Sequence, residues 1–104
     1  MLIILGSVLA RSDTVEEVQR LSREHVARSR LEPGCLSHAV HADLDEPLRL
    51  VFIERWADWD ALRAHFRVPA SVAFARDMAR LGAAPPEMTV YEATVSQMPP
   101  GATR

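Results

Sequence analysis

The chain has 104 residues and a formal net charge of −2, with 48% hydrophobic against 25% charged residues: enough for one globular core and too little for two domains. All twelve basic residues are Arg, with no Lys or Asn anywhere, and so balanced a charge exerts no general pull toward nucleic acid or an anionic membrane. Cys35 is the sole cysteine, which excludes an internal disulfide and makes a reducing cytoplasm the expected compartment.

Residues 2–10, LIILGSVLA, form an apolar run rich in Val and Ile that reads as a first strand. It is too short for a secretory leader, and no apolar run approaches the ~20 residues a bilayer span requires. A helix follows, with Asp13 or Thr14 placed to cap it and Glu16 or Glu17 three positions on to complete a capping box. Val15, Val18, Leu21, Ser22, His25 and Val26 recur at threes and fours and give it one inward stripe, although His25 itself reads as surface or boundary. Pro33-Gly34 stops this segment, with Gly34 free to turn left-handed.

Cys35–His41 reads as a second strand, ADLDEP as a turn, and Leu48–Trp56 as a third strand. Alternation puts Leu50, Phe52, Glu54 and Trp56 on one face of that strand and Val51, Ile53 and Arg55 on the other. Asp58 can cap a second helix, which Pro69 breaks or re-aims before ASVAFARDMARL continues. Met88–Met98 is the fourth expected strand, so that residues 1–98 form the domain and 99–104 a frayed, flexible tail.

The order β-α-β-β-α-β is the ferredoxin-like split motif, an α+β fold with an antiparallel sheet and both helices on one face. The other face is then left open. If that face carries Phe52 and Trp56 it is a large apolar patch, and pairing two such faces in a homodimer removes it.

The run EPGCLSHAVHADLDEPLRLVFIERWADWDALRAHF, residues 32–66, resembles the core signature of the antibiotic biosynthesis monooxygenase family. The resemblance lies in PGC leading into the second strand, a D-x-D-x-P-type hairpin, E-x-W closing the third strand, and A-L-x-x-H on the next helix. It implies a dimeric α+β barrel with a small-molecule pocket. In some members that pocket oxidises phenolic, quinol or polycyclic aromatic compounds with dioxygen and without metal, flavin or haem. A related haem-degrading branch has an Asn, a Trp and a His where this chain aligns Gly6, His65 and Ala75, so haem chemistry is not expected. Two other positions depart from the family pattern: His38 stands where a Tyr is frequent, and Ala70 where a His is.

Cofactor-free oxygenation needs a base, a place for the resulting anion and a dry pocket. His65 is a candidate base or ligand-orienting group, and equally a helix residue bonded to Glu54 or backbone. His38, which shares strand parity with Leu36 and Val40, is a second candidate base or a buried structural histidine. Arg76 on the second helix is a candidate oxyanion stabiliser. Trp56 and Phe52 are candidate aromatic walls, with core or dimer packing as the alternative for Trp56, and Tyr91 either donates to a ligand or packs at the dimer interface. Glu54 reads as one half of a structural pair, because an inward carboxylate needs a partner. With no H-x-x-x-H, C-x-x-C or Gly-rich phosphate loop, neither a metal nor a cofactor is expected. The function this favours is a cofactor-independent monooxygenase of a small aromatic substrate. The alternatives are an isomerase or cyclase using the same pocket and a non-catalytic binding dimer.

Overall fold

The computed structural model describes residues 1–101. Its elements run β1 (Leu2–Leu9), α1 (Val15–Ser29), β2 (Cys35–Ala42), β3 (Arg49–Trp56), α2 (Trp59–Arg67), α3 (Pro69–Leu81) and β4 (Glu87–Glu92). The four strands form one antiparallel sheet in the order β2-β3-β1-β4. This is the expected ferredoxin-like topology, with the second helical crossover divided in two. The division is local chemistry: Val68 is extended, at φ −61° and ψ 125°, and Pro69 opens α3 at a position where its missing N–H costs nothing.

β4 is much shorter than the expected Met88–Met98, because its pairing with β1 ends at Leu2↔Glu92 where β1 itself begins. Of the expected tail, residues 102–104 lie outside the described residues. At the start of α1, Thr14 occupies the cap position but makes no capping bond. Its hydroxyl instead donates to the Leu81 carbonyl at 2.8 Å, tying the head of α1 to the end of α3. Asp58 caps α2 as the sequence predicts, accepting from the Ala61 N–H at 2.9 Å.

The alternation in β3 is real, but its faces are the reverse of the open-face expectation. Leu50, Phe52, Glu54 and Trp56 are all buried beneath the helices, with Trp56 fully so. The uncovered face carries the other parity: Ile3, Leu5, Val51, Ile53 and Tyr91, with Leu5, Ile53 and Tyr91 exposed at 42%, 40% and 50%. Amphipathic helices cover whichever face buries more apolar volume, and the Leu2-Ile4-Val8 and Phe52-Trp56 rows win.

Beneath the helices the core falls into two clusters. Val8, Val18, Val26, Leu50, Phe52 and Met78 pack at one end, and Leu2, Ile4, Trp56 and Leu62 at the other. Glu54, between Phe52 and Trp56 on the same strand face, marks the boundary. A polar cluster occupies the gap.

Candidate active site

Three elements bring three histidines into that gap. His25 comes from α1, His38 from β2 opposite Glu54, and His65 from α2. All three are buried, and they offer nitrogens that lie within 4.8 Å of one another. The rings of His25 and His38 stand edge to face with centroids 5.2 Å apart, and His65 lies 5.3 Å from His25 and 5.7 Å from His38. Aromatic neighbours hold them in place. His25 stacks parallel on Phe74 at 4.0 Å, and His65 packs on Trp56 at 4.6 Å.

Two carboxylates serve this cluster. Glu32 Oε1 lies 2.9 Å from His65 Nδ1, so a proton on Nδ1 is donated to the carboxylate and Nε2 keeps its lone pair. Glu54 Oε1 accepts the indole N–H of Trp56 at 3.0 Å and lies 3.1 Å from His38 Nε2, without the in-line geometry of a full hydrogen bond to that ring. Burial raises the Glu54 pKa, but the close His38, the Trp56 N–H and the more distant His65 outweigh it and hold the carboxyl below its ordinary range. Burial acts the other way on His25, with His38 and His65 adding to it: its pKa is pushed down to about 3, so the ring is neutral near pH 7. Among the described residues, His25 Nδ1 and both His38 nitrogens have no hydrogen-bond partner of good geometry.

A cavity of about 490 Å³ opens beside the cluster, between the helix-covered sheet face and α3. Gly6 helps to keep it open, because it brings no side chain to the strand face beneath it. Phe52, Phe66, Phe74 and Met78 make most of its wall apolar, while His25, His65 and Glu54 supply its polar end. Arg76 is exposed and lines the cavity from α3.

The structure therefore brings His65, Phe52, Glu54 and Arg76 to one cavity. His38 is fully buried and off the cavity wall. Trp56 is also off the wall, supporting His65 from the core instead of facing a ligand. Tyr91 lies on the uncovered face of the sheet, pairing with Ile3, so its hydroxyl cannot reach a ligand in this cavity from the same chain. His25 corrects the surface reading: it is buried, at 5% exposure, and belongs to the cluster. Its place in the Val18-Ser22-Val26 stripe was the available signal. Glu32 was missed as a partner because nothing local points 33 residues along the chain to His65.

With this geometry in view, comparison with known proteins assigns the family. The model of the antibiotic biosynthesis monooxygenase family matches residues 1–77, and the chain belongs to that family. An uncharacterised Synechocystis protein, sll1783, is 31% identical over 96 residues, which make up 92% of this chain and 65% of that protein. The chain thus spans just under two thirds of that relative's length. Among solved structures, a candidate antibiotic biosynthesis monooxygenase from Deinococcus radiodurans is 25% identical. It superposes with a TM-score of 0.89 over 97% of this chain and 100% of its own. PA3566 from Pseudomonas aeruginosa is 26% identical, with a TM-score of 0.81 over 90% of this chain and 94% of its own.

Proposed function

We propose that the cavity binds a flat, electron-rich aromatic compound, a phenol, quinol or polycyclic ketone in its enol form, and oxidises it with dioxygen. One observation carries the reading: an apolar cavity of about 490 Å³ that ends on His65, whose far nitrogen is held by Glu32. Such a wall suits a planar ring system, and the His25, His65 and Glu54 end suits a substrate with an acidic proton.

His65 is the better base of the two histidines on the cavity. Burial sets His25 against accepting a proton, whereas the Glu32 carboxylate stands 2.9 Å from His65, where it offsets the positive charge the ring acquires. His65 Nε2 takes the substrate proton, and the resulting carbanion or phenolate, held against the apolar wall, gives electrons to dioxygen. For a substrate methylene the balance is R2CH2 + O2 → R2CO + H2O: both C–H bonds break, one oxygen atom stays on carbon and the other leaves as water. Arg76 at the cavity wall is placed to stabilise the anion. Phe52 and Phe74 hold the rings, and His38 and Trp56 keep the polar end in position from behind.

The uncovered face supports a homodimer. Leu5, Ile53 and Tyr91 form an apolar surface with no cover within the chain, and a second copy of the same face would bury it. The test of the oxidation is oxygen uptake by chelator-treated protein offered anthrones, naphthols and quinols. Uptake above the buffer rate, lowered at least ~100-fold in His65→Gln, is the expected result. Turnover of those compounds at an equal rate under argon would replace the oxygenase with an isomerase.

A further inference from the structure

We propose that His25, His38 and His65 form a three-imidazole site for a divalent first-row transition metal, with Zn2+ the simplest occupant, at the inner end of the cavity. The site goes beyond the oxidation reading, which belongs to the metal-free chain: a bound metal takes the His65 Nε2 lone pair that serves there as base, so the two are alternative states of one nitrogen. The three rings come from α1, β2 and α2, so no ligand spacing along the sequence announces them.

Polar demand at the cluster goes unmet. Among the described residues His25 Nδ1 and His38 Nδ1 are buried without a hydrogen-bond partner, and His38 Nε2 has only the Glu54 carboxylate, 3.1 Å away and off the line of a full hydrogen bond. A packing cluster gains nothing from imidazoles where Phe or Leu would fill the same volume. A cation takes one lone pair from each ring and leaves the second nitrogen of His38 to donate to Glu54.

The groups around the rings fit a metal site. His65 gives its Nδ1 side to Glu32, which leaves Nε2 as its ligand atom, the carboxylate–imidazole arrangement that fixes a metal-binding ring. Glu54 stands 3.1 Å from His38 Nε2 and adds negative charge on the cluster's flank. Three imidazoles suit zinc, nickel, copper or iron and discriminate against calcium or magnesium, which prefer oxygen.

The rings are also within reach of one ion. Nitrogens around a tetrahedral metal at ~2.0–2.1 Å stand about 3.4 Å apart. The offered nitrogens lie within 4.8 Å of each other, so the widest pair must close by about 1.4 Å at most, which small ring rotations supply. His25 and His65 also line the cavity, so the fourth position faces it and stays open to water or a ligand.

The test is a Zn2+ titration of the chelator-treated full chain by calorimetry, with no organic substrate present, followed by Co2+ substitution and visible spectroscopy. The expected result is one ion per chain, a raised Tm, and the ligand-field bands of four-coordinate Co2+. His25→Phe, which keeps the stacking volume against Phe74, and His65→Gln, which keeps an amide donor toward Glu32, should each weaken binding at least ~100-fold. Folding of both is checked by circular dichroism. His41→Ala, an exposed histidine at the end of β2, should bind as the wild type does. Absence of stoichiometric binding overturns the proposal. So does binding that survives undiminished in folded His25→Phe and His65→Gln, whether or not His41→Ala loses it. Because the titration reads metal alone, it can fail while oxygen uptake succeeds, or succeed while uptake fails.

Discussion

Glu54 shows how one side chain can belong to both fold and site. It lies between the two halves of the core, takes the Trp56 N–H at 3.0 Å and flanks His38 at 3.1 Å. Replacing it with Leu would leave the indole N–H buried and unpaired, which should cost about 1–3 kcal/mol in urea denaturation, whereas Glu54→Gln keeps an acceptor and should cost less. His25 supplies a second prediction at this scale, for the metal-free protein. Its pKa falls from 6.5 to about 3 in the fold, so between those values the unfolded chain binds a proton that the folded chain refuses. The unfolded state is then favoured as pH falls, and stability should drop by up to about 1.4 kcal/mol per unit below pH 6.5. The depressed Glu54 carboxyl acts in the same direction but only below its ordinary value of 4.5, so it adds little to the change between pH 7 and 5. His38, His65, Glu54 and Arg28 surround that ring in the wild type and the variant alike. Urea midpoints should therefore fall more steeply with acid in the wild type than in His25→Phe; parallel curves would refute the assignment.

Two short features set the elements that build the cavity. Gly34, at φ +81°, turns the chain into β2, and a methyl group there would collide with the Ala61 side chain on α2. Gly34→Ala should therefore lose more than about 1 kcal/mol and shift the helix that carries His65. Gly6 is different. A Cβ there meets the Glu87 carbonyl at 3.4 Å and Phe52 Cβ at 3.7 Å, ordinary contact distances, and beyond them lies the cavity. Gly6→Val should fold with little change in Tm and raise KM for an aromatic substrate at least ~10-fold, a split between stability and kinetics that marks the cavity as the binding site.

These elements also show where sequence reasoning reaches and where it stops. Alternation in LRLVFIERW fixed the parity of β3 correctly, because a half-buried strand repeats every two residues. It could not say which parity the helices cover, so Phe52 and Trp56 were assigned to the wrong side. Pro69 announced the break between α2 and α3, and Asp58 announced its cap. Thr14 holds the cap position the sequence offers it, but its hydroxyl bonds across the fold to Leu81 and not to the first turn of α1, a long-range contact that local spacing does not encode. The three-histidine cluster was out of reach for the same reason: it is assembled by contacts between elements, and local periodicity carries no such information.

For the whole molecule, the uncovered sheet face sets the expected assembly. Leu5 and Ile53 pair across β1 and β3 at its centre, so Ile53→Arg would place a charge in the middle of a face-to-face dimer. Analytical ultracentrifugation should then find the wild type as a dimer and the variant as a monomer, with the helices and cavity of each chain retained. In a dimer of this kind Tyr91 would be covered by the partner copy, at a distance from its own chain's cavity.

The most direct test of the central claim is turnover of a quinol or anthrone under 18O2 by chelator-treated protein, with the product weighed by mass spectrometry. The expected result is one labelled oxygen atom per product molecule, oxygen consumed in equal amount, and loss of both in His65→Gln. A product that carries oxygen from water, or forms at the same rate without dioxygen, would contradict it.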